Sequence, residues 1–193
     1  MAAKGITERP NPRSTSGNKA TSALAVRFTS RGPVIYKQVR VGRAGETFTM
    51  FKFRTMQVDS ESQINELRKH HEINDPMFKL ANDPRVTKVG SFLRKWSLDE
   101  TPQLFNVLGG SMSLVEPRPH PLDDVDRYEA EAFRRLALKP GMTGLWQVQG
   151  RSDLSWEQAL QLDLHYVEKW SLESDIFLLA RTIRAVLNRS GAV

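Results

Sequence analysis

Two acidic side chains, Asp99 and Glu100, stand side by side in the segment KWSLDETPQLFN, just before Pro102 and an apolar run. Adjacent carboxylates repel each other when both are ionised, so the pairing needs a physical reason. A helix start tolerates such a pair, because the positive end of the helix dipole attracts acids. An active site would use the pair to hold Mg²⁺ or to attack phosphorus. The local pattern leaves both interpretations open, and the helix start is the simpler one.

Basic side chains occur in several segments where Pro, Gly or apolar neighbours would hold the backbone rigid. These segments are KFRTM, EPRPHP and KPGMTGLWQVQGRS. The guanidinium fork matches the oxygens of a phosphate group, so an arginine at a rigid point is a good phosphate ligand. An arginine that caps a helix or bridges a carboxylate would produce the same pattern. Spacing alone does not choose between these roles.

The charge of the chain is uneven along its length. The 193 residues carry a net charge of +6. Residues 1–58 hold eleven Lys and Arg against Glu8 and Glu46, whereas the remainder is slightly acidic. A basic N-terminal third favours an anionic partner, such as nucleic acid, phospholipid headgroups or nucleotide phosphates. A basic binding module without catalytic activity is therefore one open interpretation. The basic residues are not interleaved with aromatic residues as in single-strand binders.

Several classes of protein are disfavoured by what the sequence lacks. Cysteine is absent, which excludes a disulfide framework and a thiolate metal site. The four histidines (His70, His71, His120 and His165) show no metal-ligand spacing. The motifs of P-loop NTPases, Rossmann dehydrogenases and α/β-hydrolases do not occur. The longest apolar run, IFLLA, is far shorter than the roughly 18 residues of a membrane span.

The elements that must position the acidic pair begin with a predicted β-hairpin. β-forming residues flank the turn segment GRAGE: Val34, Tyr36, Val39, Val41, Phe48, Phe51 and Phe53. Residues 1–22 have the composition of a disordered polar tail. Residues 59–71 are polar and helix-prone, and two Asn-Asp-Pro triplets after them would break a helix.

Short helices are predicted on both sides of the acidic pair. The first covers residues 91–96. The second begins at Ser97, because Ser97 to Glu100 match the capping box S-x-x-E, although Pro102 fits better if Asp99 or Thr101 is the cap. The second helix should end at Gly109–Gly110. Its predicted buried residues are Leu104, Phe105, Val107 and Leu108.

The C-terminal half is predicted to alternate extended, helical and Gly-rich segments. SMSLVEPRPHP is extended, and residues 122–138 form a helix with Val125, Tyr128, Phe133 and Leu136 near one side. KPGMTGLWQVQGRSDLS is a Gly-rich loop, followed by a helix capped by Ser155. The last helix is amphipathic, with Ile176, Leu179, Ile183 and Val186 or Leu187 at helical spacing.

Taken together, these segments resemble the bacterial sugar transferases, the monotopic polyprenyl-phosphate phosphoglycosyl transferases of the undecaprenyl-phosphate sugar phosphotransferase type. The matching segments are GPVIYKQVRVG, FTMFKFRTM, DPRVTKVGSFLRKWSLDETPQLFNVLGGSMSLV, PRP, KPGMTGLWQVQGRSDLSW and LDLHYVEKWSLESDI. They follow the family's order and cover nearly everything from residue 23 onward. The sequence departs from the family pattern at Glu116, where Gly is usual, and at Lys169, where Asn is usual.

The resemblance implies the transfer of a sugar 1-phosphate from a UDP-sugar to polyprenyl (undecaprenyl) phosphate, with release of UMP. The family's Asp-Glu dyad falls on Asp99 and Glu100, with Asp99 as the nucleophile that forms a phosphoaspartyl intermediate. The resemblance also implies that Mg²⁺ binds at Asp99 and Glu100. Arg118, in the Pro-Arg-Pro element, would contact the nucleotide or diphosphate. Further candidate phosphate ligands are Lys52, Arg54, Arg94 and Arg151.

The expected fold is α+β: a single compact catalytic domain over residues 23–193, with an N-terminal β-hairpin, mostly short helices and Pro/Gly-rich loops. Amphipathic helices should lie near the membrane face. The expected partners are the UDP-sugar donor, the polyprenyl phosphate acceptor, the membrane surface and a second copy of the chain, but not nucleic acid. The expected role is the first step of exopolysaccharide or other surface glycan assembly, at the cytoplasmic face of the inner membrane. The family's apolar re-entrant helix is expected to be absent, since a polar segment stands in its place. An inactive family member is the remaining alternative.

Overall fold

The computed structural model describes residues 32–58, 60, 83–150 and 154–187. Its strands are β1 Ile35–Val41, β2 Thr47–Phe53, β3 Ser113–Val115 and β4 Gly141–Thr143. Its α-helices are α1 Lys88–Lys95, α2 Gln103–Leu108, α3 Leu122–Val125, α4 Leu145–Gln149, α5 Trp156–Lys169 and α6 Leu172–Leu187. Short 3₁₀ helices cover Arg43–Gly45, Leu98–Glu100 and Ala130–Ala137. The predicted α+β class, with a hairpin before short helices, is confirmed.

The predicted β-hairpin is present over the expected residues. β1 and β2 pair antiparallel, with Ile35 opposite Phe53 and Val41 opposite Thr47. The connection turns through Ala44 and Gly45, which both have positive φ. Because side chains of paired residues point to the same face, the Tyr36–Lys52 pair and Arg40 share one side of the hairpin. That side faces the acidic pair.

Helix α2 docks on the open edge of β2 through one buried side chain. The Asn106 amide donates to the Thr49 carbonyl at 2.7 Å and accepts from the Phe51 N–H at 3.0 Å. These two bonds satisfy backbone groups that an unpaired strand edge would leave open. A single amide therefore takes the place of a third strand.

The predicted buried face of α2 is wrong. Gln103 and Asn106 are the buried residues of this helix, whereas Phe105 is 70% exposed and Leu108 is 84% exposed. The apolar residues point outward because the hydrogen bonds of Asn106 to β2 set the rotation of the helix. Leu104 is also exposed and Val107 only half-buried.

The predicted capping box at Ser97 does not form. Ser97 has a left-handed backbone (φ 52°), and its side chain makes no capping hydrogen bond. Its N–H bonds to the Arg94 carbonyl, so Ser97 ends α1 and does not begin α2. Helix α1 has a side-chain cap at its own start, where the Thr87 hydroxyl accepts from the Gly90 N–H.

Strands β3 and β4 form a parallel pair that the sequence did not predict. Ser113 pairs with Gly141 and Val115 with Thr143, so β3 lies in the segment predicted to be extended and β4 in the segment predicted to be a Gly-rich loop. Helix α4 lies in the same segment, directly after β4. Gly141 is required here, since a Cβ on it would lie 2.3 Å from the Glu116 backbone. Sheet pairing at this close approach turned an apparent loop into a strand.

Two apolar clusters form the core of the described residues. The first contains Val41, Val125, Tyr128, Ala132, Leu160 and Leu164. The second contains Val115, Tyr166 and Leu178. The first cluster packs α5 against the 3₁₀ helix Ala130–Ala137, and the predicted Ser155 capping box of α5 is confirmed through Gln158.

Two further helix predictions need correction. The expected helix over residues 122–138 is interrupted at Glu129, whose extended backbone (ψ 162°) separates α3 from the 3₁₀ helix. This break leaves Phe133 half-exposed. In α6 the buried residue is Leu178, whereas Ile176, Ile183 and Leu187 are exposed. No helix within the described ranges is long and apolar enough to cross a membrane. The predicted polar tail and the helix-prone residues 61–71 lie outside the described residues.

Candidate active site

The acidic pair lies in a 3₁₀ turn between α1 and α2. This turn, Leu98–Glu100, packs against β2 and the end of α1. The left-handed Ser97 reverses the chain immediately before it, and Pro102 follows it at the start of α2. The tight turn places Asp99 and Glu100 in different surroundings, although they are neighbours in the chain.

Glu100 is held by two cations. The Arg118 guanidinium donates to both carboxylate oxygens of Glu100, with one bond short and the other 3.3 Å long. Lys52 Nζ lies 3.4 Å from Glu100 Oε1. Burial opposes ionisation of Glu100, but the charges of Arg118 and Lys52 outweigh it and hold the Glu100 pKa well below its usual range. Glu100 is therefore a permanent anion at physiological pH.

Asp99 lacks such partners. It is 9% exposed, and none of the described residues donates a hydrogen bond to its carboxylate. Burial and the neighbouring charge of Glu100 raise the Asp99 pKa, and the charges of Lys52, Arg94 and Arg118 act in the opposite direction. The pair thus contains one clamped carboxylate and one carboxylate whose oxygens are not engaged by the described part of the chain.

Lys52 reaches the acidic pair from β2. Burial, reinforced by the charge of Arg118, lowers the Lys52 pKa to about 8. Arg40 lies on the same side of the hairpin. Its pKa is lowered to about 10 by burial and by Arg118, and Glu100 is among the charges that act on it. Sequence reasoning missed Arg40. The sequence did offer a signal. Arg40 stands between two valines of β1, and strand alternation places its side chain on the side of the hairpin that carries Lys52.

Arg94 approaches the pair from the last turn of α1. Its Nε donates to the Thr55 hydroxyl at 3.0 Å, and burial lowers its pKa, against the attraction of Asp99. Helix α1 is in close contact with the chain there, since a Cβ on Gly90 would meet the Thr55 carbonyl oxygen at 1.9 Å. This contact fixes the distance from which Arg94 acts on Asp99.

Arg54, a predicted site residue, is not brought to the pair. Arg54 is buried beneath Gly32 and Val58, and within the described residues it makes no ion pair or hydrogen bond with Asp99 or Glu100. Along a strand every second side chain points to the same side, so Arg54 would share the side of Lys52 if the strand continued. β2 ends at Phe53, so this alternation does not extend to Arg54. Arg151 lies outside the described residues.

Glu116 faces away from the acidic pair. Its backbone N–H donates to the Thr143 carbonyl at 2.9 Å. Burial, together with the charge of Asp175, raises the Glu116 pKa to about 8. The side chain is therefore mostly protonated at neutral pH. The departure from the family's Gly adds little negative charge beside Arg118.

An apolar cavity lies away from the acidic pair. It has a volume of about 590 Å³ and is lined by apolar residues that include Val41, Leu122 and Phe133. None of the cations that act on the acidic pair lines it. The polar cluster of Lys52, Arg94, Arg118 and the two acids therefore remains the candidate site.

The cluster has the chemistry of an anion-binding site with a nucleophile. Lys52, Arg94 and Arg118 carry three positive charges against the two carboxylates, and Arg40 adds a fourth. Such a surplus of half-buried cations favours a phosphate or diphosphate ligand. The unengaged Asp99 oxygens lie among these cations and could attack the phosphorus of such a ligand.

The carboxylates also fit a magnesium ion in part. Mg²⁺ is commonly held by one or two carboxylates together with substrate phosphates. Asp99 offers both oxygens, whereas Glu100 already spends three of its roughly four lone-pair positions on Arg118 and Lys52. No group of three or more acidic or histidine side chains suited to a metal occurs in the described residues. A bound diphosphate would have to supply the remaining ligands.

Comparison with known proteins identifies close relatives. Residues 18–189 match the family model of the bacterial sugar transferases. The chain is 46% identical over 162 residues to the galactosyl transferase CpsE of Streptococcus agalactiae, covering 83% of this chain and 36% of that protein. It is 49% identical over 169 residues to the undecaprenyl-phosphate galactose phosphotransferase of Salmonella typhimurium, covering 83% and 35%. The exopolysaccharide production protein ExoY of Rhizobium meliloti is 41% identical over 174 residues, covering 86% and 76%. The chain thus spans about a third of the length of the first two relatives.

Proposed function

This chain belongs to the bacterial sugar transferase family, and from that premise we propose that it transfers a sugar 1-phosphate from a UDP-sugar to undecaprenyl phosphate. One relative is named an undecaprenyl-phosphate galactose phosphotransferase and another a UDP-glucose:undecaprenyl-phosphate glucose-1-phosphate transferase. The product would be a lipid diphosphosugar that begins an exopolysaccharide or another surface glycan. The observation that carries the proposal is the unequal acidic pair among half-buried cations.

The first half-reaction uses Asp99 as the nucleophile. A carboxylate oxygen of Asp99 attacks the sugar-bearing phosphorus of the donor, and the bond from that phosphorus to the UMP oxygen breaks. UMP leaves with the bonding electron pair, and the sugar phosphate remains on Asp99 as an acyl phosphate. Glu100 is unsuited to this role because Arg118 and Lys52 occupy its oxygens.

The second half-reaction restores Asp99. An oxygen of undecaprenyl phosphate attacks the same phosphorus, and the bond to the Asp99 oxygen breaks. Two steps replace one encounter between two anionic substrates, which repel each other. Lys52, Arg94 and Arg118 reduce that repulsion in both steps, since their charges surround the reacting group.

Mg²⁺ is the proposed cofactor, bound by Asp99 and the remaining lone pair of Glu100 together with the donor diphosphate. When bound, the ion would neutralise diphosphate charge and favour the ionised form of Asp99. The chain's own contribution is the orientation of Asp99 and the clamp on Glu100. Removal of Mg²⁺ with a chelator should abolish UMP release without unfolding the chain.

The membrane surface is the proposed location of the acceptor. Leu104, Phe105 and Leu108 are exposed on α2, which begins three residues after Glu100. A lipid surface is the partner that this apolar face fits, because the acceptor itself is a membrane lipid with its phosphate at the headgroup level. Docking α2 into the surface would bring that phosphate near the acidic pair.

The test of the proposed function is UMP release from a panel of UDP-sugars, with Mg²⁺ and undecaprenyl phosphate in detergent or liposomes. We expect release with at least one donor, and we expect Asp99→Asn to lower the rate by about 10³-fold or more. The covalent step has its own readout. In the absence of acceptor, a donor labelled with ³²P at its sugar-bearing phosphate should transfer the label to the protein. Wild-type turnover in Asp99→Asn would refute the nucleophile assignment, and no release with any donor would leave the inactive-member interpretation.

A further inference from the structure

The Pro-Arg-Pro segment is held through its carbonyl groups. Pro117 and Pro119 have no N–H, so this segment offers few donors to its surroundings. The Arg118 carbonyl accepts from Arg135 Nη2 at 2.9 Å, and the Pro119 carbonyl accepts from Arg40 Nη1 at 3.0 Å. Two arginine side chains therefore fix the backbone around Arg118, the residue whose side chain clamps Glu100.

Backbone donors hold the residues on either side. The Pro117 carbonyl accepts from the Gly141 N–H at 2.9 Å, and the His120 carbonyl accepts from the Val41 N–H at 3.0 Å. Four successive carbonyls are thus bonded to three parts of the chain: β4, the 3₁₀ helix Ala130–Ala137, and β1, which supplies both Arg40 and Val41. Within this series, the bond to the Arg118 carbonyl itself depends on a buried ion pair.

That ion pair is Arg135 with Asp163. The two side chains are 3% and 1% exposed, and Arg135 Nη2 lies 2.5 Å from Asp163 Oδ2. Arg135 Nη1 donates to the Tyr128 hydroxyl at 2.5 Å, and the guanidinium lies 5.7 Å from the Trp156 ring centroid. These contacts leave the guanidinium one orientation, with the edge that carries Nη2 towards the Arg118 carbonyl.

Stability is a poor explanation for this pair. A buried ion pair recovers its desolvation cost only when its remaining polar atoms are also bonded. Here Arg135 Nε and Asp163 Oδ1 are buried without a hydrogen-bond partner in the described part of the chain. The surrounding cluster is apolar and would accept uncharged side chains. What the pair contributes, beyond its internal contacts, is the bond to the Arg118 backbone.

We propose that Arg135, oriented by Asp163, is a positioning residue that holds Arg118 in the direction needed to clamp Glu100. The proposal rests on the proposed transferase function, in which the Arg118–Glu100 clamp leaves Asp99 as the reacting carboxylate. Arg135 does not touch the reacting atoms and acts only through Arg118.

The structure provides a matched control in the neighbouring residue. Arg134 pairs with Glu168 between the same two elements, the 3₁₀ helix Ala130–Ala137 and α5. This second pair is about half-exposed and has no bond to the Pro-Arg-Pro segment. Arg134→Lys therefore makes the same chemical change as Arg135→Lys, but it should not alter the position of Arg118.

The experiment is a double-mutant cycle on UMP release with Arg135→Lys and Arg118→Ala. Lysine keeps the positive charge but lacks the fork that reaches Asp163 and the Arg118 carbonyl together. We expect Arg135→Lys to lower kcat by about 10- to 100-fold, and to have less than a twofold effect when Arg118 is already Ala. Arg134→Lys should change kcat less than twofold. Equal losses from Arg135→Lys with and without Arg118 would overturn the proposal, because a general structural defect is additive.

A second readout does not depend on activity. In ¹H–¹⁵N NMR spectra, the Arg118 Nη–H groups that donate to Glu100 should exchange with water at least tenfold faster in Arg135→Lys than in the wild type or Arg134→Lys. If the wild type shows no UMP release, the transferase function fails, and the NMR result still decides the positioning role. If Arg135→Lys does not fold, Asp163→Asn is measured instead, with a smaller loss of kcat that again disappears in Arg118→Ala. Unchanged exchange in a folded variant would contradict the proposal.

Discussion

Asp99 and Glu100 differ in chemistry because their partners differ. Glu100 is bonded to Arg118 and Lys52, whereas the Asp99 carboxylate receives no hydrogen bond from the described residues. The neighbouring anion and burial raise the Asp99 pKa, and the surrounding cations limit that rise. A reacting carboxylate needs free oxygens, and a carboxylate that organises cations needs bonded ones. The pair divides these two requirements between adjacent residues.

The pH dependence of kcat/KM should report Asp99 on the acid side and Lys52 on the alkaline side. Activity is lost as pH falls through the raised Asp99 pKa, because the nucleophile is protonated. It is also lost as pH rises through the Lys52 pKa of about 8, because the cation that faces Glu100 becomes neutral. Lys52→Arg keeps its charge, so we expect the alkaline limit to move upward.

The control for this profile is Lys37→Arg. Lys37 lies on the opposite face of the same hairpin and is exposed, so its replacement should leave both limits unchanged. An alkaline limit that stays near pH 8 in Lys52→Arg would assign that limit to another group.

At the scale of elements, the β-hairpin and α2 are joined by Asn106. Its amide bonds the Thr49 carbonyl and the Phe51 N–H, and it is 4% exposed. The contact fixes α2 along β2, and the 3₁₀ turn that precedes α2 carries Glu100 to within 3.4 Å of Lys52. The contact between α2 and β2 therefore also sets the geometry of the candidate site.

Asn106→Leu should destabilise the fold. Leucine has a similar size but cannot bond, so two strand-edge groups lose their partner. The expected loss in the free energy of unfolding is about 2–4 kcal/mol, at roughly 1–2 kcal/mol for each group left unpaired. Urea denaturation followed by circular dichroism measures it.

Phe105→Ala is the control on the same helix. Phe105 is 70% exposed, so the expected change is about 0.5 kcal/mol or less. Equal losses from the two substitutions would show that the amide contact is not what holds α2 in place.

At the scale of the whole molecule, apolar side chains of α2 point outward next to the candidate site. The expected consequence is attachment to lipid through Leu104, Phe105 and Leu108. Burial of one large apolar side chain contributes about 1.5–3 kcal/mol. The double variant Phe105→Ser/Leu108→Ser should therefore weaken partition onto anionic phospholipid vesicles by at least about tenfold in a sedimentation assay.

Leu122→Ser provides the comparison for this assay. Leu122 is an exposed apolar residue on α3, so its replacement should leave partition nearly unchanged. Equal weakening by both variants would point to nonspecific apolar contact with vesicles, and no weakening by either would remove α2 from the membrane face.

Local sequence patterns predicted the elements whose residues act through their neighbours in the chain. The alternation around GRAGE predicted the hairpin, and Ser155 with Gln158 predicted the cap of α5. The acidic pair and Arg118 were recognisable from residue types and from a family resemblance. Strand and helix propensity and helix capping depend on residues only a few positions apart, so they can be recognised from the sequence alone.

Contacts between distant residues were decided only by the tertiary structure. The apolar residues of α2 predicted a buried face, but the bonds of Asn106 to β2, 57 residues away, turned that face outward. Gly141–Thr143 read as a loop until pairing with β3 made it a strand. Arg135 carried no local signal, since its partners, Asp163, Tyr128 and the Arg118 carbonyl, are brought near by the fold. The sequence alone determined which residues could do chemistry. The packing of remote segments decided which carboxylate is clamped and which is left to react, because hydrogen-bond partners and burial are properties of the folded chain.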